Sequence, residues 1–345
     1  MFRSFLGKTA DEAWLRVAEV LRSDTTIPHQ SSRAGPTKEI LHAAIAIENS
    51  RERWVISRFP AINPAYAFAE LVWTLNGRED SAFLTYFNSK LVKLAGDGPT
   101  FHGAYGNRLR HHLGFDQFAR AYHVLKNRAD SRQVVLQIWD GKIDLPNPDG
   151  SPVAQDIPCN LVSLLKVRDN RLEWTQVMRS NDIFIGIPYD FVQFTCLQEI
   201  FAGWLGIEVG AYCHISDSLH AYTKDIPEIL KAVPVMPAPD SSSFALPFDD
   251  SERVFRELGR GVERIINSGN LGSELLANLK ASTLPQTYRD MLAVLTSEGL
   301  RIRGDGGMAG EAIGLCSNLL FQQLWQRWFE RYPVKQSAVV AGKSG

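Results

Sequence analysis

One cysteine in this sequence stands in a setting that suits a nucleophile. Cys159 follows a proline and opens an apolar, strand-like stretch. A lone thiol is more often a small buried hydrophobic residue than a catalytic group. Arg179, however, directly follows the next strand-like stretch, and a guanidinium near a thiol favours the reactive thiolate. The spacing therefore indicates nucleophilic chemistry at Cys159, with Arg179 beside it.

Hydrophobic periodicity predicts the elements that must position these residues. Strands are predicted over 134–139, 161–167, 172–178 and 207–215. Helices are predicted over 10–22, where Thr9 and Glu12 form a capping box, and over 65–75 and 188–205. Further on, only helices are predicted, over 251–267, 272–280, 284–297 and 309–331. The expected organisation is an α+β catalytic domain (1–231), a proline- and serine-rich linker (232–250), a helical C-terminal segment (251–333) and a frayed tail (334–345).

The composition excludes several classes of protein. With 345 residues, 37 Lys+Arg and 38 Asp+Glu, the chain has a formal net charge of -1, which argues against a nucleic-acid coat protein. Its 45% hydrophobic residues exclude general disorder, and no apolar run reaches the ~18 residues of a membrane span. The four cysteines are too few and too scattered for a disulfide framework or a zinc site. We expect a cytoplasmic protein with reduced thiols and no metal.

Several separated motifs resemble, in order and spacing, those of the thymidylate synthase family. They are 158–159, 179–189, 208–210 and 220–222 and, upstream, Arg33, 70–73, 105–106 and 131–132. The resemblance covers about residues 33–222. It implies an α+β fold with a large mixed β-sheet flanked by helices, to which this chain adds the helical C-terminal segment. It also implies a homodimer whose two sites share residues.

The resemblance implies a reaction at C5 of a pyrimidine nucleoside monophosphate, with 5,10-methylenetetrahydrofolate as co-substrate. Cys159 would add to C6 of the ring, which makes C5 nucleophilic. Glu70 would move protons as a general acid and base, and Tyr105 and Asp190 would complete the catalytic residues.

The same resemblance implies which residues bind the two substrates. A phosphate dianion needs several cations, and guanidinium groups suit it because they can bind two oxygens at once. The implied phosphate-binding residues are Arg33, Arg179, Ser180 and, from a partner chain, Arg132. The implied sugar- and base-binding residues are His220, Tyr222 and Asp190. The implied folate-binding residues are Asp182, Gly186 and Tyr189.

Asp190 replaces the asparagine that thymidylate synthases have at this position. An amide offers a donor and an acceptor, which match O4 and N3–H of uracil, whereas a carboxylate only accepts. Cytosine presents its exocyclic amino group as a donor, and a mismatched polar group in a buried site is heavily penalised. In this respect the chain resembles the cytosine-specific deoxycytidylate and cytidylate hydroxymethylases. The alternative is a protonated Asp190 that imitates asparagine.

Other departures concern the wall of the site and the phosphate clamp. Segment 81–104 contains no tryptophan, although thymidylate synthases have one there that shields the exocyclic methylene intermediate of the base. The aligned positions in this chain are Leu91 and Leu94. A smaller wall would let water capture the methylene, which gives a 5-hydroxymethyl product and tetrahydrofolate. Asn160 replaces the histidine that usually follows the cysteine, which alters the water network near the ring. Gln133 replaces the second arginine of the partner-chain pair, which removes one cation.

The sequence therefore predicts a folate-dependent one-carbon transferase that hydroxymethylates CMP or dCMP at C5. One alternative is a divergent thymidylate synthase that methylates dUMP. Another is a non-catalytic nucleotide-binding protein, in which the extra helices serve as an interaction module. The choice between ribose and deoxyribose and the biological pathway stay open.

Overall fold

One mixed β-sheet organises the molecule. The computed structural model describes residues 2–32, 34–267 and 269–332. Its strands are β1 (Arg3–Gly7), β2 (His29–Gln30), β3 (Thr37–Ile47), β4 (Val135–Gln137), β5 (Asn160–Arg168), β6 (Arg171–Asp182) and β7 (Glu208–Tyr222). They are arranged in the order β1-β3-β7-β6-β5-β4, and β2 pairs with β3. The β1–β3 and β6–β7 pairs are parallel and the other pairs antiparallel.

Helices flank this sheet and make up the C-terminal part of the described chain. They are α1 (Ala10–Ser23), α2 (Pro64–Leu75), α3 (Ser81–Thr85), α4 (Leu91–Ala95), α5 (Tyr105–Asn107), α6 (Gln117–Asn127), α7 (Gly141–Asp144), α8 (Ile187–Leu205), α9 (Ile226–Ile229), α10 (Phe248–Ile266), α11 (Gly272–Lys280), α12 (Gln286–Ile302), α13 (Gly306–Gly314) and α14 (Leu319–Arg331). A π-helical turn, Arg108–His112, follows α5. Within the described ranges, no helix is long and apolar enough to cross a bilayer.

The helices that support the site begin and end at residues with clear capping roles. Asn63 caps α2 by accepting a hydrogen bond from the backbone N of Tyr66, and Pro64 takes the first helical position. Helix α8 carries a proline in its first turn and ends at Gly206, whose φ of 68° is left-handed. Most of α8 is buried, because it lies against β6, β7 and α2. It is therefore the central helix of the core.

The two faces of the sheet differ in burial. On β6, Trp174, Gln176 and Met178 are buried on the face that α8 covers. The alternate residues Thr175 and Val177 point to the other face and are half-buried. This second face is therefore partly open to solvent in the single chain.

The segment between the sheet domain and the C-terminal helices is anchored along its length. Residues 233–247 form neither helix nor strand. Phe244 is buried, its backbone N donates to Glu199 Oε1 at 3.2 Å, and its carbonyl accepts from the Tyr288 hydroxyl at 2.7 Å. Beyond it, α10, α12 and α14 all pack on α2. The domain boundaries at 231, 250 and 333 stay a prediction, and the predicted tail, 334–345, lies outside the described residues.

The predicted fold class, α+β with a mixed sheet, flanking helices and C-terminal helices, is confirmed. The prediction of one helix over 309–331 is wrong: α13 and α14 are separated, because the Asn318 side chain caps α14 by accepting from Phe321 N. The last predicted strand is longer than expected and runs to Tyr222. The sequence analysis missed β1 and β3, whose polar and apolar residues do not alternate cleanly.

Candidate active site

Strand pairing places the candidate nucleophile beside its arginine. Cys159 directly precedes β5 and is half-buried. Asn160 pairs with Met178 across the β5–β6 ladder, and the Arg179 backbone N donates to the Cys159 carbonyl at 2.9 Å. The Arg179 guanidinium donates from Nε to the Pro158 carbonyl at 2.9 Å and from Nη2 to the Ile157 carbonyl at 3.2 Å. Arg179 therefore holds the loop that delivers Cys159.

Glu70 enters the site from helix α2. It lies one turn after Tyr66, whose hydroxyl donates to Glu70 Oε1 at 3.1 Å. Burial and, secondarily, the nearby Asp190 carboxylate raise the pKa of Glu70 to about 8. A carboxyl group with that pKa can both give and take a proton near neutral pH, as a general acid and base must.

Asp190 is a buried carboxyl in the first turn of α8. Its Oδ2 accepts a hydrogen bond from Asn181 Nδ2 at 2.7 Å. Burial raises the pKa of Asp190 to about 7, although the Asn181 hydrogen bond acts in the opposite direction. Within the described ranges neither Asp190 nor Glu70 makes an ion pair. The site therefore holds two carboxyl groups whose proton affinity is set by burial.

Tyr105 lies near Cys159 as well as near the two carboxyl groups. Burial raises its pKa well above the usual value, and the charges of Cys159 and Asp190 add to that effect. A phenol in this environment stays protonated, so it offers the site a hydroxyl donor. The fold thus brings Cys159, Glu70, Tyr105 and Asp190 together from four separate parts of the chain.

The residues predicted to bind the sugar, His220 and Tyr222, lie on β7, and Ser180 lies on the adjacent strand β6. His220 Nδ1 is 3.5 Å from the Ser180 hydroxyl across the β6–β7 pair. His220 and Tyr222 are two positions apart on β7, so they share one face, and their rings are 5.4 Å apart. This face presents hydroxyl and imidazole groups that suit a ribose or a phosphate.

The residues predicted to bind folate lie at the end of β6 (Asp182) and at the start of α8 (Gly186 and Tyr189). Asp182 Oδ1 accepts from the Ile185 backbone N at 2.8 Å, whereas its Oδ2 is buried without a hydrogen-bond partner among the described residues. A buried acceptor without a partner is costly, so it suits a ligand that brings N–H donors, as a pterin ring does. The Tyr189 hydroxyl accepts from the Asn63 backbone N at 2.9 Å. These residues fit the co-substrate that the sequence analysis predicts.

Arg132 lies far from this chain's own cysteine. It precedes β4, in a groove that also involves Arg168, at the opposite end of β5 from Cys159. Nine residues of extended strand separate these ends, a span of about 25–30 Å. Gln133, the substituted neighbour, lies in the same groove. Arg33 lies outside the described residues, so its predicted phosphate contact is untested.

Comparison with known proteins decides the family. A sequence profile of the family described as thymidylate synthase matches residues 17–252, which is more than half of the chain. This chain belongs to the thymidylate synthase family. The match extends beyond the motifs, through the segment predicted as a linker and into α10.

Two phage relatives carry a more specific name. Deoxyuridylate hydroxymethyltransferase of Bacillus phage SP01 is 35% identical over 199 residues, which cover 54% of this chain and 51% of that protein. The protein of the same name from Pseudomonas phage M6 is 37% identical over 162 residues, 46% of this chain and 45% of its own length. The chain thus matches about half the length of these relatives. A Methanothermobacter marburgensis protein named "Putative thymidylate synthase" is 30% identical over 224 residues, 64% of this chain and 94% of that protein.

Helix α4, in the segment predicted to form a wall of the site, contacts the loop before Cys159. Helix α4 carries Leu91, which is half-buried, and Leu94, which is 42% exposed. The Gln155 side chain donates to the Lys93 carbonyl at 3.2 Å, which ties α4 to this loop. Asn160 points into the buried side of the sheet, where its Oδ1 accepts from Gln176, and its Nδ2 has no partner among the described residues.

Sequence reasoning missed several polar residues behind the site. Asn181 and Tyr66 contact the two carboxyl groups directly, and His214 and Tyr212 lie behind Asn181. One signal could have found the last two: Tyr212 and His214 alternate with outward residues along β7, so both point inward. A polar side chain at an inward strand position needs a partner, and that partner is Asn181.

Proposed function

We propose that this chain is a folate-dependent 5-hydroxymethyltransferase that acts on the pyrimidine ring of CMP or dCMP. The observation that carries the proposal is the buried Asp190 carboxyl, whose ionised form offers only acceptors and is favoured by the hydrogen bond that Asn181 donates to Oδ2. Family membership supports the one-carbon chemistry, and the names of the phage relatives support hydroxymethyl rather than methyl transfer.

The chain's own residues account for the covalent steps. The Cys159 thiolate forms an Sγ–C6 bond, and the displaced π electrons make C5 a nucleophile. Bound methylenetetrahydrofolate would supply the one-carbon unit to C5 and would leave as tetrahydrofolate when the C5 proton is lost. Glu70, which is near its pKa at neutral pH, removes the C5 proton through water and later helps water add to the exocyclic methylene. Loss of Cys159 from C6 then restores the aromatic ring and releases the 5-hydroxymethyl nucleotide.

Hydrogen-bond matching argues for cytosine. An ionised Asp190 offers only acceptors, which pair with the exocyclic amino group of cytosine. Uracil would place its O4 acceptor against the same carboxylate, an unpaired and repulsive contact in a buried site. Rejection of a base by such a mismatch can reach ~10⁴-fold.

The second candidate is hydroxymethylation of dUMP. It is favoured by the name of the two phage relatives and by the pKa of Asp190, which burial raises to about 7. A neutral carboxylic acid has one donor and one acceptor, so it can imitate the asparagine of thymidylate synthases. The two candidates therefore differ in the proton on Asp190 when the base is bound.

A homodimer would complete the phosphate site. Arg132 lies ~25–30 Å along the sheet from its own Cys159, so it can serve only a second copy's site. The half-open sheet face that carries Thr175 and Val177 offers apolar area for such a dimer. Mixing Cys159→Ser chains with Arg132→Ala chains would give one intact site per mixed dimer, up to about a quarter of wild-type activity. No activity in the mixture would argue against shared sites.

A substrate panel tests the proposal directly. Purified protein, formaldehyde and tetrahydrofolate are incubated with CMP, dCMP, UMP or dUMP, and the product mass is recorded. We expect 5-hydroxymethyl products from the cytosine nucleotides. Activity confined to dUMP would reject the cytosine assignment in favour of the second candidate.

Three measurements separate the remaining alternatives. A rise in absorbance from dihydrofolate would indicate methyl transfer, as in a thymidylate synthase. The Cys159→Ser variant should lose turnover with every nucleotide, and a 5-fluorinated nucleotide plus folate should form a covalent adduct with the wild type alone. A protein that binds the nucleotide without forming this adduct would be a non-catalytic binder.

A further inference from the structure

A buried row of polar side chains leads from the interior of the sheet to the base-recognising carboxyl. The Tyr212 hydroxyl lies 2.9 Å from His214 Nδ1 on β7. Asn181 Nδ2, on β6, is 3.0 Å from His214 Nε2 and 2.7 Å from Asp190 Oδ2. Tyr212 and His214 are fully buried, and Asn181 is 4% exposed.

The donor and acceptor in each hydrogen bond of this row can be assigned. Burial lowers the pKa of His214 to about 3, so the imidazole is neutral at working pH. Its Nε2 then accepts from Asn181, and its proton is assigned to Nδ1, which faces Tyr212. The two N–H groups of the Asn181 amide are therefore both used, one by His214 and one by Asp190.

The oxygen of the same amide lies close to the backbone of Gly186. A Cβ added at Gly186 would lie 2.3 Å from Asn181 Oδ1, so only glycine leaves room for this oxygen. If the amide turned over, its oxygen would face two acceptors, Asp190 and His214 Nε2. Asn181 thus presents a fixed donor to Asp190.

We propose that Asn181, oriented by His214 and Tyr212, is a positioning residue that sets the proton state in which Asp190 meets the base. The inference rests on the proposed function, because it assigns the origin of the preference between cytosine and uracil. Asn181 donates to Oδ2, which therefore has to accept, and this leaves Oδ1 for the base. Without that donor, a proton would occupy the carboxyl more readily and uracil would become acceptable.

Other titratable groups face Asp190 from the elements packed around it. Within the described ranges they are Glu70 and Tyr66 on α2, Tyr105 on α5, and Tyr212 and His214 on β7. The tyrosines have raised pKa values because of burial and His214 is neutral, so Glu70 is the group that titrates together with Asp190. Any pH profile must therefore be compared between variants that all retain Glu70.

The test compares base preference across pH in a small set of variants. Asn181→Ala removes the donor, His214→Phe removes the acceptor that orients it, and His214→Gln restores an acceptor as the matched control. For each variant, kcat/KM is measured with cytosine and uracil nucleotides from about pH 5.5 to about pH 9. Nucleotide affinity from calorimetry over the same range gives a readout that does not need turnover.

We expect Asn181→Ala to raise by about one unit the pH above which uracil nucleotides are rejected, and to lower the cytosine-to-uracil ratio at pH 8 about tenfold. His214→Phe should shift both in the same direction, and His214→Gln should return toward wild type. An equal loss of kcat for both bases, with ratio and pH midpoint unchanged, would overturn the inference. If Asn181→Ala does not fold, the two His214 variants decide it.

The outcomes for the network and for the proposed function are distinguishable. A wild type that uses only uracil nucleotides contradicts the cytosine assignment, yet the midpoint shift between wild type and Asn181→Ala still tests the network. A wild type that prefers cytosine, with a ratio that Asn181→Ala leaves unchanged, supports the function and rejects the role of Asn181.

Discussion

The two ends of helix α8 bury a carboxyl group in opposite ways. Asp190, in the first turn, accepts from the neutral amide of Asn181 and lies near a second carboxyl. Glu199, nine residues later, forms an ion pair with the buried Arg53 guanidinium and a second one with Arg51 at 3.2 Å. It also accepts the Phe244 backbone N at 3.2 Å, which joins the segment after the sheet domain to α8.

The two environments give the two carboxyl groups different roles: Glu199 stabilises the fold, whereas Asp190 can exchange a proton. An acid paired with two guanidinium groups and a backbone N–H ties parts of the fold together. Asp190, held by one neutral donor in a buried site, has a pKa that burial raises to about 7, where its proton can take part in recognition or catalysis. The same helix thus serves the core at one end and the site at the other.

The largest effect is expected beside the N-terminal end of α8, at Glu70. Glu70→Gln removes the proposed general acid and base but keeps the shape of the side chain, so kcat should fall ~10²–10⁴-fold. The free energy of unfolding should not fall, because glutamine imitates the protonated acid that this site favours. Turnover with saturating nucleotide and folate, and urea unfolding, check the two parts. Unchanged kcat would remove Glu70 from the mechanism.

The matched amide substitution at the other end of α8 should give the reverse pattern. Glu199→Gln leaves the Arg53 guanidinium, which is 1% exposed, without its counter-charge. Breaking a buried pair in this way costs about 3–5 kcal/mol. Urea unfolding measures the loss, and the base preference of the folded variant should match wild type. A stability within about 0.5 kcal/mol of wild type would show that the pair is not structural.

Stability should depend on pH through Asp190. Its folded-state pKa, about 7, lies above the ordinary value of 3.8, so the folded protein binds this proton more tightly than the unfolded chain. The resulting stabilisation is complete below about pH 4 and is lost as pH rises through about 7. Between these pH values the free energy of unfolding of the wild type should fall by up to about 4 kcal/mol relative to that of Asp190→Asn.

Unfolding curves of both proteins from about pH 4 to about pH 9 check this prediction. A constant difference between wild type and Asp190→Asn would mean that the Asp190 carboxyl does not titrate in this window.

The smallest effect is expected at the C-terminal cap of α8. Gly206 has a φ of 68°, and a Cβ there would meet no atom within 4 Å. Gly206→Ala should therefore cost only the backbone penalty of a left-handed residue, about 1 kcal/mol. Thermal unfolding measures it, and kcat and base preference should stay at wild-type values. A larger loss would mean that the helix end also supports the Glu199 cluster.

Much of the fold was predictable because its signals are local. The helix over 188–205 was predicted from its apolar run and proline, and its observed bounds differ by one residue. The break between α13 and α14 was not predicted, because an apolar stripe continues across it and only the Asn318 cap interrupts the backbone. β1 and β3 were missed because strand formation depends on distant partners.

The sequence by itself determined which chemical groups are available: a thiol at Cys159, an arginine one strand away, and a carboxyl at Asp190 where the family has an amide. Such features are read from residue type and order alone. Only the tertiary structure decided that Glu70 lies near Asp190, that Asn181 and His214 stand behind it, and that Arg132 is remote from its own cysteine. Proton affinity and hydrogen-bond direction arise from burial and from neighbours far apart in the chain, and folding alone brings those together.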